Sequence, residues 1–158
     1  MPLPEFESVA KEEPAAFEVL SVRSPGGRYR LLFDRYRSIR EEDGDVEIGG
    51  EPDSAPILVD ERLGHAHVFE FCGTPCGYDW GCWVDSVHFA LGGWTQIGDR
   101  ADSLRGVLGI YSLVDSTEAQ YFTRAVSSVE YASYMSAWRG WVTDRYRAWK
   151  LGGTASGD

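Results

Sequence analysis

Five side chains able to bind soft metals or attack electrophiles lie within 18 residues: His65, His67, Cys72, Cys76 and Cys82. Thiolates and imidazoles are the ligands of a zinc site, and a thiolate beside an imidazole makes a nucleophilic cysteine. The spacing is Cys-x3-Cys-x5-Cys, not the paired Cys-x2-Cys of a zinc ribbon. A continuous strand over His65–Cys72 would send His65 and His67 to one face with Phe69 and Phe71, and Cys72 to the other with Val68, so they would not share an ion. Between Cys72 and Cys82 the one charged residue is Asp79, so no neighbouring cation favours a thiolate for His65, His67 or His88 to serve. Residues 72–82 are therefore expected to form a Gly- and Pro-turned loop with reduced, structural cysteines, no metal and no cofactor. A disulfide is the second reading of these cysteines. A metal- or thiol-dependent protein, an enzyme included, built on Cys72, Cys76 and Cys82 is the alternative function class.

The second chemical feature is acidic. From Glu41 to Asp53 the chain carries seven carboxylates and no base. Asp43, Asp45 and Glu47 alternate as calcium ligands do, but a loop of the EF-hand type starting at Asp43 would need Gly at Ile48 and Glu at Ser54. Seven carboxylates without matching cations cannot be buried, so the segment is expected to be an exposed hairpin tip. Glu41, Glu42, Asp43 and Asp45 then supply long-range attraction to a basic partner, with Tyr36, Tyr78 and Trp80 as nearby contact residues.

Charge over the whole chain points the same way. The formal net charge is -10 over 158 residues. Residues 1–60 contribute -7, residues 61–126 contribute -4 and residues 127–158 contribute +1. Such a chain repels a phosphate backbone, which argues against nucleic acid as a partner. The N-terminus has neither a basic stretch nor an apolar core of a secretory signal, and no run of 18 apolar residues crosses a membrane, so the cytoplasm is the expected compartment. Phosphate-loop, dinucleotide-binding, nucleophile-elbow and His-Glu-x-x-His motifs are all missing from the sequence.

The elements that must position these residues are mainly strands. Apolar residues recur at strand spacing between turn signals at Ser24–Gly27, Asp43–Asp45, Gly49-Gly50, Gly92-Gly93 and Asp115-Ser116. Strands are expected at Phe17–Val22, Tyr29–Phe33, Ala55–Asp60, His65–Cys72, Trp83–Leu91, Val107–Val114 and Ala119–Ala125, with Val107–Val114 central and covered on both faces. Ser127 and Glu130 fit a capping box, and Gly152 is a C-terminal stop, bounding a helix over 128–151. Its stripe of Tyr131, Met135, Trp138, Val142 and Trp149, broadened by Tyr134 and Trp141, should bury against the sheet, with Gly140 allowing close approach to a strand. The predicted fold is α+β, mainly β: an antiparallel meander with one long C-terminal helix packed on it. Residues 1–16 are read as an extended arm, 17–151 as a single domain and 152–158 as a disordered tail.

Asp85–Trp94, Gly109–Asp115 and Gln120–Thr123 resemble successive strands of a β-propeller blade, and residues 17–60, with Ser24-Pro25-Gly26-Gly27, resemble a looser copy. Two such units cannot close a propeller, so the resemblance implies a β-meander and a module that binds other proteins. The expected function is a non-catalytic protein-binding domain, of the kind in which an acidic inhibitor or immunity-type protein covers a basic partner.

Overall fold

The computed structural model describes residues 10, 13–73 and 76–152, with no side-chain detail for 100–102. Element α1 (Pro14–Val19) precedes ten strands: β1 (Ser21–Arg23), β2 (Tyr29–Leu32), β3 (Arg37–Glu42), β4 (Asp45–Gly50), β5 (Ile57–Asp60), β6 (His65–Val68), β7 (Cys76–Trp83), β8 (His88–Ile97), β9 (Arg100–Ser112) and β10 (Glu118–Val126). The last element, α2, spans Ser128–Lys150. Every strand pairing is antiparallel. One four-stranded sheet has the order β1-β2-β5-β6, the other is the meander β10-β9-β8-β7, and β3-β4 stand as a separate hairpin. The mainly β fold with one long C-terminal helix is thus as expected, but only the second sheet is a meander. In the first, β3-β4 are spliced between the neighbours β2 and β5.

The two sheets meet through aromatic residues. Trp83 stacks on Tyr29 and tilts against Phe89, while Phe69 sets its edge on Phe89 and Tyr111. Gly81 lies where a Cβ would come 3.0 Å from both Leu31 and Phe33, so the absent side chain lets β7 sit close on the first sheet. The strand expected over Trp83–Leu91 is instead the end of β7 and the start of β8, joined by a turn in which Asp85 accepts the amides of Val87 and His88 at 2.8 Å. Gly92 and Gly93, expected in a turn, sit inside β8. A Cβ at Gly92 would collide with the Trp80 ring, and one at Gly93 with the Gly77 carbonyl, so these glycines answer a packing need. Gly49 and Gly50 likewise end β4 in place of the expected turn. Strand β9 is interior to its sheet, yet it is not covered on both faces: Ile110 is exposed and residues 103–108 are half-buried.

The expected arm is also corrected. Pro14 starts α1, where its fixed φ suits the first turn, and Ala15, Ala16, Phe17 and Val19 are buried in the core. A strand beginning at Phe17 is thereby displaced to Ser21. Residues 1–9 and 11–12, and 153–158 of the expected tail, lie outside the described residues.

Helix α2 begins as its sequence dictates. Ser127 Oγ accepts the Glu130 amide at 3.1 Å, and Glu130 accepts the Ser127 amide at 2.8 Å. The helix ends where Gly152 adopts φ 81° and donates its amide to Trp149 at 3.0 Å. Its buried residues are Trp138, Val142 and Tyr146, whereas Trp149 is half-buried. Gly140 faces open space, so it makes no close approach to a strand. Among the described residues no helix is long and apolar enough to cross a membrane. Trp138→Ala is expected to cost ~3–5 kcal/mol by chemical denaturation, as for other buried large-to-small changes; an unchanged midpoint would show that the helix does not depend on this contact.

Candidate functional site

Hairpin β3-β4 turns at Asp43 and Gly44, which adopt φ 51° and 87°, the left-handed pair that a two-residue turn requires. Its register sets Ile39 opposite Ile48, Arg40 opposite Glu47 and Glu42 opposite Asp45. Because side chains alternate, Ile39, Val46 and Ile48 turn toward the core while Glu42, Asp45 and Glu47 turn to solvent. Glu42, Asp43, Asp45 and Glu47 have no ion-pair partner among the described residues. Glu41 lies on the inward-facing side and is bonded by Lys150, so it fastens the hairpin to the end of α2. That bond holds the Glu41 carboxyl below the usual range and the Lys150 ammonium above it. Glu47 thus replaces Glu41 in the free acidic surface.

The three aromatic residues expected beside the hairpin separate. Tyr36 is half-buried at its base, where its carbonyl accepts the Glu51 amide at 3.2 Å and its ring lies under the Arg35 guanidinium. Tyr78 is 5% exposed, so its assignment as a surface contact does not hold. Burial and the nearby Glu70 carboxylate push its phenol well above the usual value. Trp80 is 37% exposed on β7 and packs over Gly92, in the second sheet. A bulge between Tyr78 and Trp80 sends the two rings to opposite faces.

The cysteines do not form the expected loop. Residues 76–83 are strand, and Cys72 is bonded to Cys76 across a Cα separation of 6.1 Å. Cys72 pairs with Ser54 in an isolated bridge, which brings it beside the start of β7. Reduced cysteines are therefore corrected at these two positions, and Cys82 alone is a free, exposed thiol. Residues 74–75 lie outside the described residues. Among the described residues no three His, Cys, Asp or Glu side chains approach closely enough to hold a metal ion. His88 Nδ1 lies 2.7 Å from Asp85, within the turn that Asp85 organises.

A buried polar cluster went unread in the sequence. Arg37 at the start of β3 lies between two buried carboxylates, Asp34 at 3.2 Å and Asp79 at 3.6 Å. Asp34 accepts the amides of Tyr36 at 3.1 Å and Ala55 at 3.3 Å. Asp79 accepts the Tyr134 hydroxyl at 2.9 Å, and its backbone carbonyl accepts the Trp138 indole at 2.8 Å. Burial pushes both carboxyls above the usual range, against the opposing pull of Arg37 and these donors; for Asp79 the Asp34 charge adds to the rise. The cluster joins β3, β7 and α2, and a void of about 40 Å³ lies beside Asp34 and Arg37. It is suited to holding elements together.

Above it, a cleft of about 170 Å³ runs between β8–β10 and the first turns of α2. Trp94 and Tyr131 meet edge to face at 5.4 Å, with Tyr134 and Thr123 completing the wall. Its one carboxylate, Glu130, is committed to Arg124 at 2.6 Å and to the helix cap, which lower its pKa to about 2. The cleft offers apolar surface without a nucleophile or a base. The chain matches no protein-family model, and neither the curated proteins nor the solved structures contain a significant match.

Two measurements check these placements. The intact protein should be lighter by two hydrogens before reduction than after it, and a mass unchanged by reductant would refute the Cys72–Cys76 bond. The raised Asp79 pKa means that the folded state holds its proton more firmly than the unfolded chain does. The associated stability is full below the unfolded value, about pH 4, and is lost as pH rises through the folded value. Asp79→Asn keeps an acceptor for Tyr134 and removes this titration. Its unfolding free energy relative to wild type should therefore rise from acid to neutral pH; a pH-independent difference would contradict the shift.

Proposed function

We propose that this chain is a non-catalytic protein-binding domain that uses hairpin β3-β4 to attract a partner with a basic surface. The observation that carries this reading is the hairpin itself. It belongs to neither four-stranded sheet and presents Glu42, Asp43, Asp45 and Glu47 to solvent without matching cations. Exposed like charges repel one another and do not stabilise a monomer, whereas they raise the rate at which an oppositely charged surface is met. An inhibitor that covers a basic site would use charge in this way. The thiol alternative loses two of its three cysteines to the disulfide. That bond also supports an oxidising compartment over the cytoplasm, because such bridges persist where glutathione does not reduce them.

The test is kinetic. A partner recovered by affinity capture should associate about tenfold or more slowly with the variant carrying Glu42→Gln, Asp43→Asn, Asp45→Asn and Glu47→Gln, and the difference should shrink at high salt. Glu41→Gln alone should lower stability at the α2 end and leave the association rate near that of wild type. An association rate indifferent to the four substitutions and to salt would refute the reading.

A further inference from the structure

Strand β10 is exposed on both faces and along a free sheet edge from Glu118 to Ala125. Tyr121 is 57% exposed and Phe122 46%. A long open edge carrying aromatic residues is what a sheet presents to a further strand. The direction of its backbone groups follows from one bond, the Ser112 amide to the Thr117 carbonyl at 3.0 Å. Pairing then runs in register from Glu118 opposite Tyr111 to Phe122 opposite Val107, before a bulge. Bonded pairs alternate in an antiparallel ladder, so Thr117, Ala119 and Tyr121 turn their amides and carbonyls toward β9. Glu118, Gln120 and Phe122 turn theirs outward.

This edge is electrically polar along its length. Glu118 marks one end, where the Gln120 amide bonds both it and Glu70. At the other end the Arg105 guanidinium covers the Phe122 ring at 3.8 Å. Arg105 has no carboxylate partner among the described residues, and its Nε is buried without an acceptor. Acid at one end and an unpaired cation at the other make the strand complementary to its own copy laid antiparallel.

We propose that two copies of this chain pair through β10 about a twofold axis at Gln120, joining their four-stranded sheets into one continuous sheet. Glu118 of each copy then stands opposite Phe122 of the other, within reach of the Arg105 that covers it. The outward groups of Glu118, Gln120 and Phe122 form about six backbone hydrogen bonds between the copies. The hairpin lies at the far end of α2, about 34 Å away along the helix, and stays free for the partner described above.

Sedimentation of the full chain over a concentration series tests this. Wild type should pass from monomer to dimer. Gln120→Pro deletes an outward amide and spares the β9 ladder, so it should leave a folded monomer by circular dichroism. Glu118→Arg and Arg105→Glu should each weaken the dimer by about tenfold or more, because each sets like charges together at both contacts. Mixing these two variants restores both opposite-charge contacts and should yield a heterodimer tighter than either homodimer. Wild type that stays monomeric to its solubility limit, or a dimer indifferent to Gln120→Pro and to the charge exchange, would overturn the proposal.

Discussion

Arg37 is the cation on which the assembly of this fold turns. It stands between Asp34, which follows β2 and organises the chain before β5, and Asp79, which occupies the bulge of β7. Through Asp79 the same cluster reaches Tyr134 and Trp138 of α2. One guanidinium thus ties the first sheet, the hairpin, the second sheet and the helix. Burial raises the pKa of both carboxyls against the opposing pull of Arg37, and for Asp79 the Asp34 charge adds to the rise. A buried pairing of this kind is weak evidence of added stability, but removing any one partner leaves an uncompensated buried charge.

Around this cluster, strands approach one another by setting large side chains against glycine. Trp80 lies over Gly92, Trp94 against Gly77, and Leu31 and Phe33 against Gly81. The contact at Gly81 draws β7 onto the first sheet, and the two tryptophans close β7 against β8. Phe69 and Phe89 enclose Tyr111 of β9, whereas Ile110, Tyr121 and Phe122 remain at the surface of β9 and β10. Hairpin β3-β4 is held at its base by Arg37, along its inward side by Ile39, Val46 and Ile48, and at the α2 end by the bond from Lys150 to Glu41. Its outer acids are left free by the alternation of a two-stranded ribbon.

What could be read from the sequence was local. The helix limits followed from Ser127, Glu130 and Gly152 because a cap is formed by neighbours in the chain. The turn at Gly26-Gly27, both with positive φ, followed for the same reason. Gly92 and Gly93 were misplaced because the reason for their size lies on another strand, at Trp80 and Gly77. Exposure of the acidic segment followed from the cost of burying charge, but the different role of Glu41 depends on a lysine 109 residues away. Asp79 gave no local sign of its partners, Arg37 and Tyr134, and its bulge reversed the alternation that would have kept Tyr78 and Trp80 together. The Cys72–Cys76 bond likewise rests on the pairing of Cys72 with Ser54.

The placement of α1 has a consequence for synthesis. Arg145 of α2 donates to the carbonyls of Val19, at 2.8 Å and 126 residues away in the chain, and of Ser21 at 3.2 Å. The first described helix therefore meets α2 only after a further 126 residues have been made. At roughly 5–20 residues per second, the apolar side of Pro14–Val19 waits on the order of 6–25 s after its own emergence from the ribosome. Its contact with α2 has high sequence separation, whereas Arg30 of the first sheet already covers Phe17 and pairs with Glu18. During that interval the cover of Phe17 comes from Arg30 of the growing first sheet, and the docking of α2 is left as the closing step of the fold.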